Sequence, residues 1–138
     1  MRVLIFGVGS PGARKPLERV LTRLGHEAWA ENDVEAALNL IGEMEIRVVI
    51  GDGRLPKFEW IELCRRLRAG GARPYVYFLL IEDPHADDSH EIWAAEAGID
   101  DFLDELANER EVRRRLRLAA GRLGEPGSVS SAENIGAE

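Results

Sequence analysis

The stretch "VVIGDGRLPKFEWIELCRRLRA", residues 48–69, decides the fold because it holds a strand, a loop and a helix in turn. The apolar, β-branched run "IRVVI" (46–50) predicts a buried strand, and the Gly and Pro residues of "GDGRLP" (51–56) predict a loop. Asp52 therefore follows a buried strand directly. The predicted helix covers about 58–69, and its apolar face consists of Trp60, Leu63, Cys64 and Leu67.

Four similar strand and helix units flank this stretch. The other predicted strands are 2–6, 26–30, 75–80 and 99–103, and the other predicted helices cover about 15–24, 34–41, 90–97 and 109–122. Gly25 and Gly42 are predicted to end the first two helices. The alternation predicts a doubly wound α/β domain with an open, mostly parallel five-stranded sheet and helices on both faces.

Length and composition indicate one domain followed by a linker. A chain of 138 residues is about one domain long. Residues 1–123 carry the periodic pattern, whereas "GEPGSVSSAENIGAE" (124–138) is small, polar and aperiodic, which predicts a flexible linker or tail.

Charge and cysteine content limit the partners and the location. The 18 Lys and Arg against 25 Asp and Glu give a net charge of −7, which argues against direct nucleic-acid binding. A single cysteine, Cys64, excludes an internal disulfide and a thiolate metal cage. With no signal-peptide pattern and no apolar run of about 20 residues, we expect a cytoplasmic domain that stays off the membrane.

The stretch "FGVGSPG" (6–12) matches G-x-G-x-x-G directly after a strand, which leaves two interpretations. The glycines Gly7, Gly9 and Gly12 could cradle a nucleotide, or they could simply turn the chain. A helix beginning at the loop would put Pro16 in its second turn at a penalty of about 3 kcal/mol, so we predict a start near Lys15 and favour the turn. A nucleotide or small-effector site stays as an alternative.

Residues 48–69 resemble the third strand and third helix of response-regulator receiver domains: an apolar strand, an Asp at its end, a Pro four residues later and an E-L-C-R-R-L-R helix. "AGIDDFLDE" (97–105) resembles the fifth strand of that family, and "RVLIF" and "LGHEA" resemble the first strand and the lead-in to the second. The resemblance covers residues 2–123. It implies a flavodoxin-like sheet of order 2-1-3-4-5 in which Asp52 matches the phospho-acceptor.

The resemblance also implies an acidic pair for Mg²⁺, a hydroxyl after the fourth strand and a lysine after the fifth. The sequence holds other residues at all these positions: Gly7 and Val8, Leu80, and Glu105. It therefore predicts a degenerate pseudo-receiver that is not an enzyme and needs Mg²⁺ only if Asp52 is phosphorylated. A phosphorelay receiver using Asp52 is the alternative, and its replacement metal ligands would be Glu31, Glu82 or Asp83.

Charge is unevenly placed along the last third of the chain. Residues 82–109 hold eleven Asp and Glu without Lys or Arg, whereas 110–122 hold six Arg and one Glu. One interpretation is a set of solvated faces, with Asp100 and Asp101 facing solvent. The other is a symmetric homodimer through the fourth helix, fifth strand and last helix, in which Arg113, Arg114 or Arg117 meets Asp100, Asp101 or Asp104 of the second copy.

Two further hypotheses concern a partner and a side chain. The linker predicts that an output or kinase domain is joined to this domain.

Trp60 replaces a residue that is usually small in the family, and we expect it to fill or cover the space beside Asp52.

Overall fold

The computed structural model describes residues 1–8, 11–54, 59–70, 74–104 and 108–125, with the backbone alone for 11–13. Gly9, Glu105 and residues 126–138 of the predicted tail lie outside the described residues. Strands and helices alternate along the described chain: β1 (Arg2–Phe6), α1 (Pro11–Arg23), β2 (Glu27–Glu31), α2 (Val34–Glu43), β3 (Val48–Asp52), α3 (Glu59–Ala69), β4 (Tyr77–Ile81), α4 (Asp88–Ala97), β5 (Asp101–Leu103) and α5 (Glu109–Leu123).

The five strands form one parallel sheet of order β2-β1-β3-β4-β5, which confirms the predicted architecture. The register aligns the carboxyl ends of the three central strands. Phe6 lies beside Gly51, and Asp52 lies beside Ile81. Residues that follow these strands consequently meet at one edge of the sheet.

Strand alternation divides the core into two layers. In β3, Val49 packs with α2, α3 and α4 on one face, while Val48 and Ile50 pack with α1 and α5 on the other. All three side chains are fully buried. The next residue in phase with Val48 and Ile50 is Asp52, so alternation assigns Asp52 to the face of α1 and α5.

The two helical layers differ in charge. Four Lys and Arg lie in α1 and six in α5, against one acidic residue in α1 and two in α5. In the other layer, α2 and α4 contain no Lys or Arg, and α3 contains three Arg against two Glu. Most of the positive charge of this acidic chain therefore lies on one side of the sheet.

The prediction that the first helix starts near Lys15 is wrong. Helix α1 begins at Pro11 and contains Pro16. A proline at the first helical position loses nothing, because that N–H has no partner within the helix. Pro16 lies in the second turn, where it lacks the N–H that would donate to the carbonyl four residues earlier.

The prediction that Gly42 ends the second helix is also wrong. Helix α2 runs on to Glu43, and the backbone N–H of Met44 still donates to the carbonyl of Leu40 at 2.9 Å. The left-handed backbone that reverses the chain is at Glu45, with a φ of 53°. At the end of α1, Gly25 has a φ of 87°, as predicted for a glycine that ends a helix.

Candidate functional site

Asp52 is the last residue of β3 and is 4% exposed. Among the described residues, no other charged or polar residue is buried to this degree. A carboxylate in such a position must be satisfied by hydrogen bonds or by an opposite charge. The partners of Asp52 therefore determine what this edge of the sheet can do.

Arg54 satisfies both oxygens of this carboxylate. Its backbone N–H and its Nε donate to Oδ1 at 2.9 and 2.8 Å, and its Nη2 donates to Oδ2 at 2.8 Å. The Asp52 side chain is 6% exposed and that of Arg54 is 33% exposed. This two-pronged geometry is the strongest arrangement of an arginine with a carboxylate. The sequence analysis missed Arg54, although its place two residues after Asp52 was a local signal.

Gly53 fixes the backbone between these two residues. Its N–H donates to the carbonyl of Ile81 at 2.9 Å. A Cβ at this position would lie 2.6 Å from that carbonyl oxygen and 3.1 Å from the Leu80 side chain, so no side chain fits. The turn after β3 therefore lies directly against the end of β4, where Leu80 is fully buried.

The end of β1 provides no carboxylate. Gly7 has a φ of 76°, and its N–H donates to the carbonyl of Glu31 at 3.0 Å. The next residue, Val8, is 2% exposed and packs in the core with α1 and α5. These two positions thus continue the apolar core up to the edge of the sheet.

The candidate replacement metal ligands are not assembled around Asp52. Oε1 of Glu31 accepts the backbone N–H groups of Asn32 and Asp33, and Oδ1 of Asp83 accepts that of His85. No group of three His, Cys, Asp or Glu within the described ranges could hold a metal. The described residues therefore do not fit the Mg²⁺ ion of an active receiver, which binds through oxygen ligands.

Trp60 lies in the core rather than beside the carboxylate, which corrects the hypothesis for this residue. It is fully buried on the face of α2, α3 and α4, and its ring centroid is 5.3 Å from that of His90. A Cβ at Gly51 would lie 3.6 Å from the Cβ of Trp60. Trp60 thus packs near Gly51, on the face opposite to that of Asp52.

Asp100 does not face solvent as predicted. Its side chain is 14% exposed, and its Oδ2 accepts Nη2 of Arg68 at 2.8 Å and the backbone N–H of Phe78 at 2.7 Å. The Tyr75 hydroxyl donates to Oδ1. Burial, followed by this bond to Asp100, raises the pKa of Tyr75 to about 12. Arg68 and Tyr75 carry no local sequence signal for this contact, because they lie 32 and 25 residues before Asp100.

Asp101 is also paired within the chain, so its predicted exposure is wrong as well. Nη1 of Arg115 lies 3.2 Å from its Oδ2, and Nε of Arg115 donates to Glu111 at 2.8 Å. The remaining residues of the predicted dimer face are exposed: Asp104, Arg113, Arg114 and Arg117. Two of the six residues assigned to that face, Asp100 and Asp101, therefore form ion pairs within the domain.

Comparisons with known proteins identify the family. Over 119 residues the chain is 31% identical to the transcriptional regulatory protein AfsQ1 of Streptomyces coelicolor, with 86% of this chain and 51% of that protein covered. Over 132 residues it is 33% identical to the virulence sensor protein BvgS of Bordetella bronchiseptica, with 91% and 10% covered. It spans about half the length of the first relative and a tenth of the second.

A solved structure agrees with these relatives. The crystal structure of a putative response regulator from Chloroflexus aurantiacus superimposes with a TM-score of 0.74 at 25% identity, covering 86% of this chain and 97% of that one. This chain is a response-regulator receiver domain. No protein-family model matches it. Within the described part of this receiver domain, every helix is too short or too polar to cross a bilayer.

Proposed function

We propose that this receiver domain is a non-enzymatic pseudo-receiver, which signals through protein–protein contact and not through Mg²⁺-dependent phosphorylation. The observation that carries the proposal is the chemistry of the strand ends around Asp52. Gly7 and Val8 follow β1, and Leu80 stands in β4, so acids and a hydroxyl are replaced by glycine and apolar side chains. Phosphoryl transfer depends on neutralising the charge of the phosphoryl oxygens, and these residues cannot do so.

Intact-mass spectrometry after incubation with Mg²⁺ and acetyl phosphate tests the proposal. We expect no phosphoryl adduct on the wild-type protein, whereas a receiver with the complete residue set, treated in parallel, should gain one. Asp52→Asn is the control for the site of modification. An adduct that forms on the wild type and is lost in Asp52→Asn would contradict the pseudo-receiver assignment.

The second candidate is a phospho-accepting receiver that uses Asp52 in a phosphorelay. Its support is the position of Asp52, a buried carboxylate at the carboxyl end of the central strand β3. In that case mass spectrometry would find a phosphoryl adduct on the wild-type protein and none on Asp52→Asn. Mg²⁺ would then be the cofactor that phosphorylation of Asp52 requires.

The third candidate is a nucleotide or small-effector site at the glycine loop. The start of α1 at Pro11 favours it, because a helix that begins at the loop directs its N–H groups toward a phosphate. The presence of Pro16 in that helix removes the objection raised from sequence. Titration with ATP, GTP and NAD, followed by tryptophan emission, separates this candidate from the first, for which no change is expected.

We further propose that the partner is an output or kinase domain joined through the C-terminal linker. The names of the two relatives support this, since one is a transcriptional regulatory protein and the other a sensor protein, and both are longer than this chain.

A homodimer through α4, β5 and α5 is part of the proposal. Ile92 and Trp93 on α4 are 57% and 41% exposed. Sedimentation at low and high salt tests the dimer, which we expect to weaken as salt rises.

A further inference from the structure

One guanidinium covers the carboxylate at the centre of the site. Arg54 donates two N–H groups to Oδ1 of Asp52 and one to Oδ2. The arginine side chain is 33% exposed and the Asp52 side chain 6% exposed, so the arginine is the member of the pair that reaches solvent. The fork of an arginine matches both carboxylate oxygens at once, which a lysine cannot do.

Such a pair opposes both reactions for which a receiver uses its aspartate. A carboxylate oxygen must direct a lone pair at a metal ion or at phosphorus to bind or attack it, and here three N–H groups of Arg54 occupy three of the about four lone-pair sites of the carboxylate. The guanidinium also keeps its positive charge at every physiological pH, so it repels a second cation from the same place.

The backbone of the turn keeps Asp52 and Arg54 in the positions that allow their contact. Gly53 is tied to Ile81 by its N–H, and the space beside it admits no Cβ. The turn between Asp52 and Arg54 therefore has little freedom to move away from β4. Because the Arg54 backbone N–H binds Oδ1 as well, part of the contact persists even when the side chain swings out.

We propose that Arg54 is the built-in counter-cation of Asp52 and closes this carboxylate to metal ions, phosphodonors and other reagents from solvent. The inference rests on the proposed function, since it explains why Asp52 would not be phosphorylated. According to this inference, the positive charge beside Asp52 comes from Arg54 in the turn after β3 and not from a bound metal ion.

Carbodiimide labelling of carboxylates in the presence of glycinamide tests the inference without any phosphodonor. The rate of amide formation at Asp52 is followed by peptide mass spectrometry in the wild type and in Arg54→Gln. We expect labelling of Asp52 to be at least about tenfold faster in Arg54→Gln. Arg54→Lys, which keeps the charge but loses the fork, should give an intermediate rate.

A matched control removes an exposed arginine elsewhere. Arg66 pairs with Glu35 on the surface, and its side chain is 44% exposed. Arg66→Gln should leave the Asp52 rate unchanged. If Arg54→Gln does not fold, as judged by circular dichroism, Arg54→Met and Arg54→Lys supply the same comparison.

Equal labelling of Asp52 in the wild type and the Arg54 variants would overturn the inference. An equal rise in Arg66→Gln would also overturn it, because the effect would then not belong to Arg54. The proposed function is decided separately by acetyl phosphate. If the wild type takes a phosphoryl group at Asp52, that function fails, and the labelling ratio still decides whether Arg54 limits access.

Discussion

Arg68 and Asp100 form an ion pair of 2.8 Å that joins the last turn of α3 to the segment before β5. The same guanidinium donates to the carbonyl of Gly98 from Nε and Nη2 at 3.0 and 2.9 Å, and to that of Val76 from Nη1 at 2.8 Å. It also lies 4.3 Å above the ring of Tyr75. One side chain thus connects α3, the start of β4 and the turn after α4.

Arg68→Ala should lower the free energy of unfolding by about 2–4 kcal/mol, because it removes the charged partner of the Asp100 carboxylate and the guanidinium that donates to two carbonyls. Urea unfolding measures the change. Arg66→Ala, which removes an exposed ion pair with Glu35, should lower it by no more than about 0.5 kcal/mol. Similar losses in the two variants would show that Arg68 is no more than a surface residue.

Gly98→Ala should destabilise the domain by about 1–3 kcal/mol. Gly98 has a φ of 97°, and a Cβ there would lie 2.9 Å from Nε of Arg68. The control is Gly121→Ala within α5, where a Cβ meets nothing within 4 Å and alanine is the better helix former. We expect that control to raise the free energy of unfolding by about 0.5–1 kcal/mol. Thermal unfolding of both variants compares the two effects.

Gly53→Ala should disrupt the turn that sets Arg54 against Asp52. The new Cβ would have to occupy space 2.6 Å from the carbonyl oxygen of Ile81, so the backbone must shift. We expect a loss of about 1–3 kcal/mol in the free energy of unfolding, together with faster carbodiimide labelling of Asp52. Unchanged stability and labelling would show that the turn accommodates a side chain without moving.

His26 should make stability fall as the pH drops below the ordinary histidine pKa of about 6.5. Burial and the N-terminal amine of Met1, 2.9 Å from its Nδ1, lower the pKa of His26 in the folded state. The unfolded chain therefore binds the proton first, and stability is lost between about pH 6.5 and the lower folded pKa. His26→Gln should show a smaller decline than the wild type in urea unfolding.

The control for this titration is His85→Gln, which changes a histidine at an exposed position. It should follow the wild-type pH dependence. A decline in His26→Gln as steep as that of the wild type would assign the effect to other groups.

The elements and their order followed from the sequence because apolar periodicity and glycine positions are local signals. Asp52 could be placed at the edge of the sheet for the same reason, since it directly follows a buried strand. The start of α1 could not be predicted from local sequence, because Pro11 and Pro16 both suit a first helical position.

The burial of Asp100 depended on contacts across the fold. Arg68 and Tyr75 reach it only after α3, β4 and α4 are packed, so no spacing rule connects them. Arg54 differs, because an arginine two residues after a strand-end aspartate is visible in the sequence. Its contact was missed because the turn that brings the two side chains together depends on Gly53 meeting β4.

The layer of α1 and α5 carries more positive charge than the layer of α2, α3 and α4, which gives the domain an electric dipole directed across the sheet. Near a charged planar surface such a molecule orients before it binds, with α1 and α5 turned toward negative charge and α2 and α4 toward positive charge. Its behaviour on an ion-exchange resin should accordingly depend on which side it presents. The domain should be retained on cation exchangers at low salt more strongly than a protein of net charge −7 with evenly spread charges.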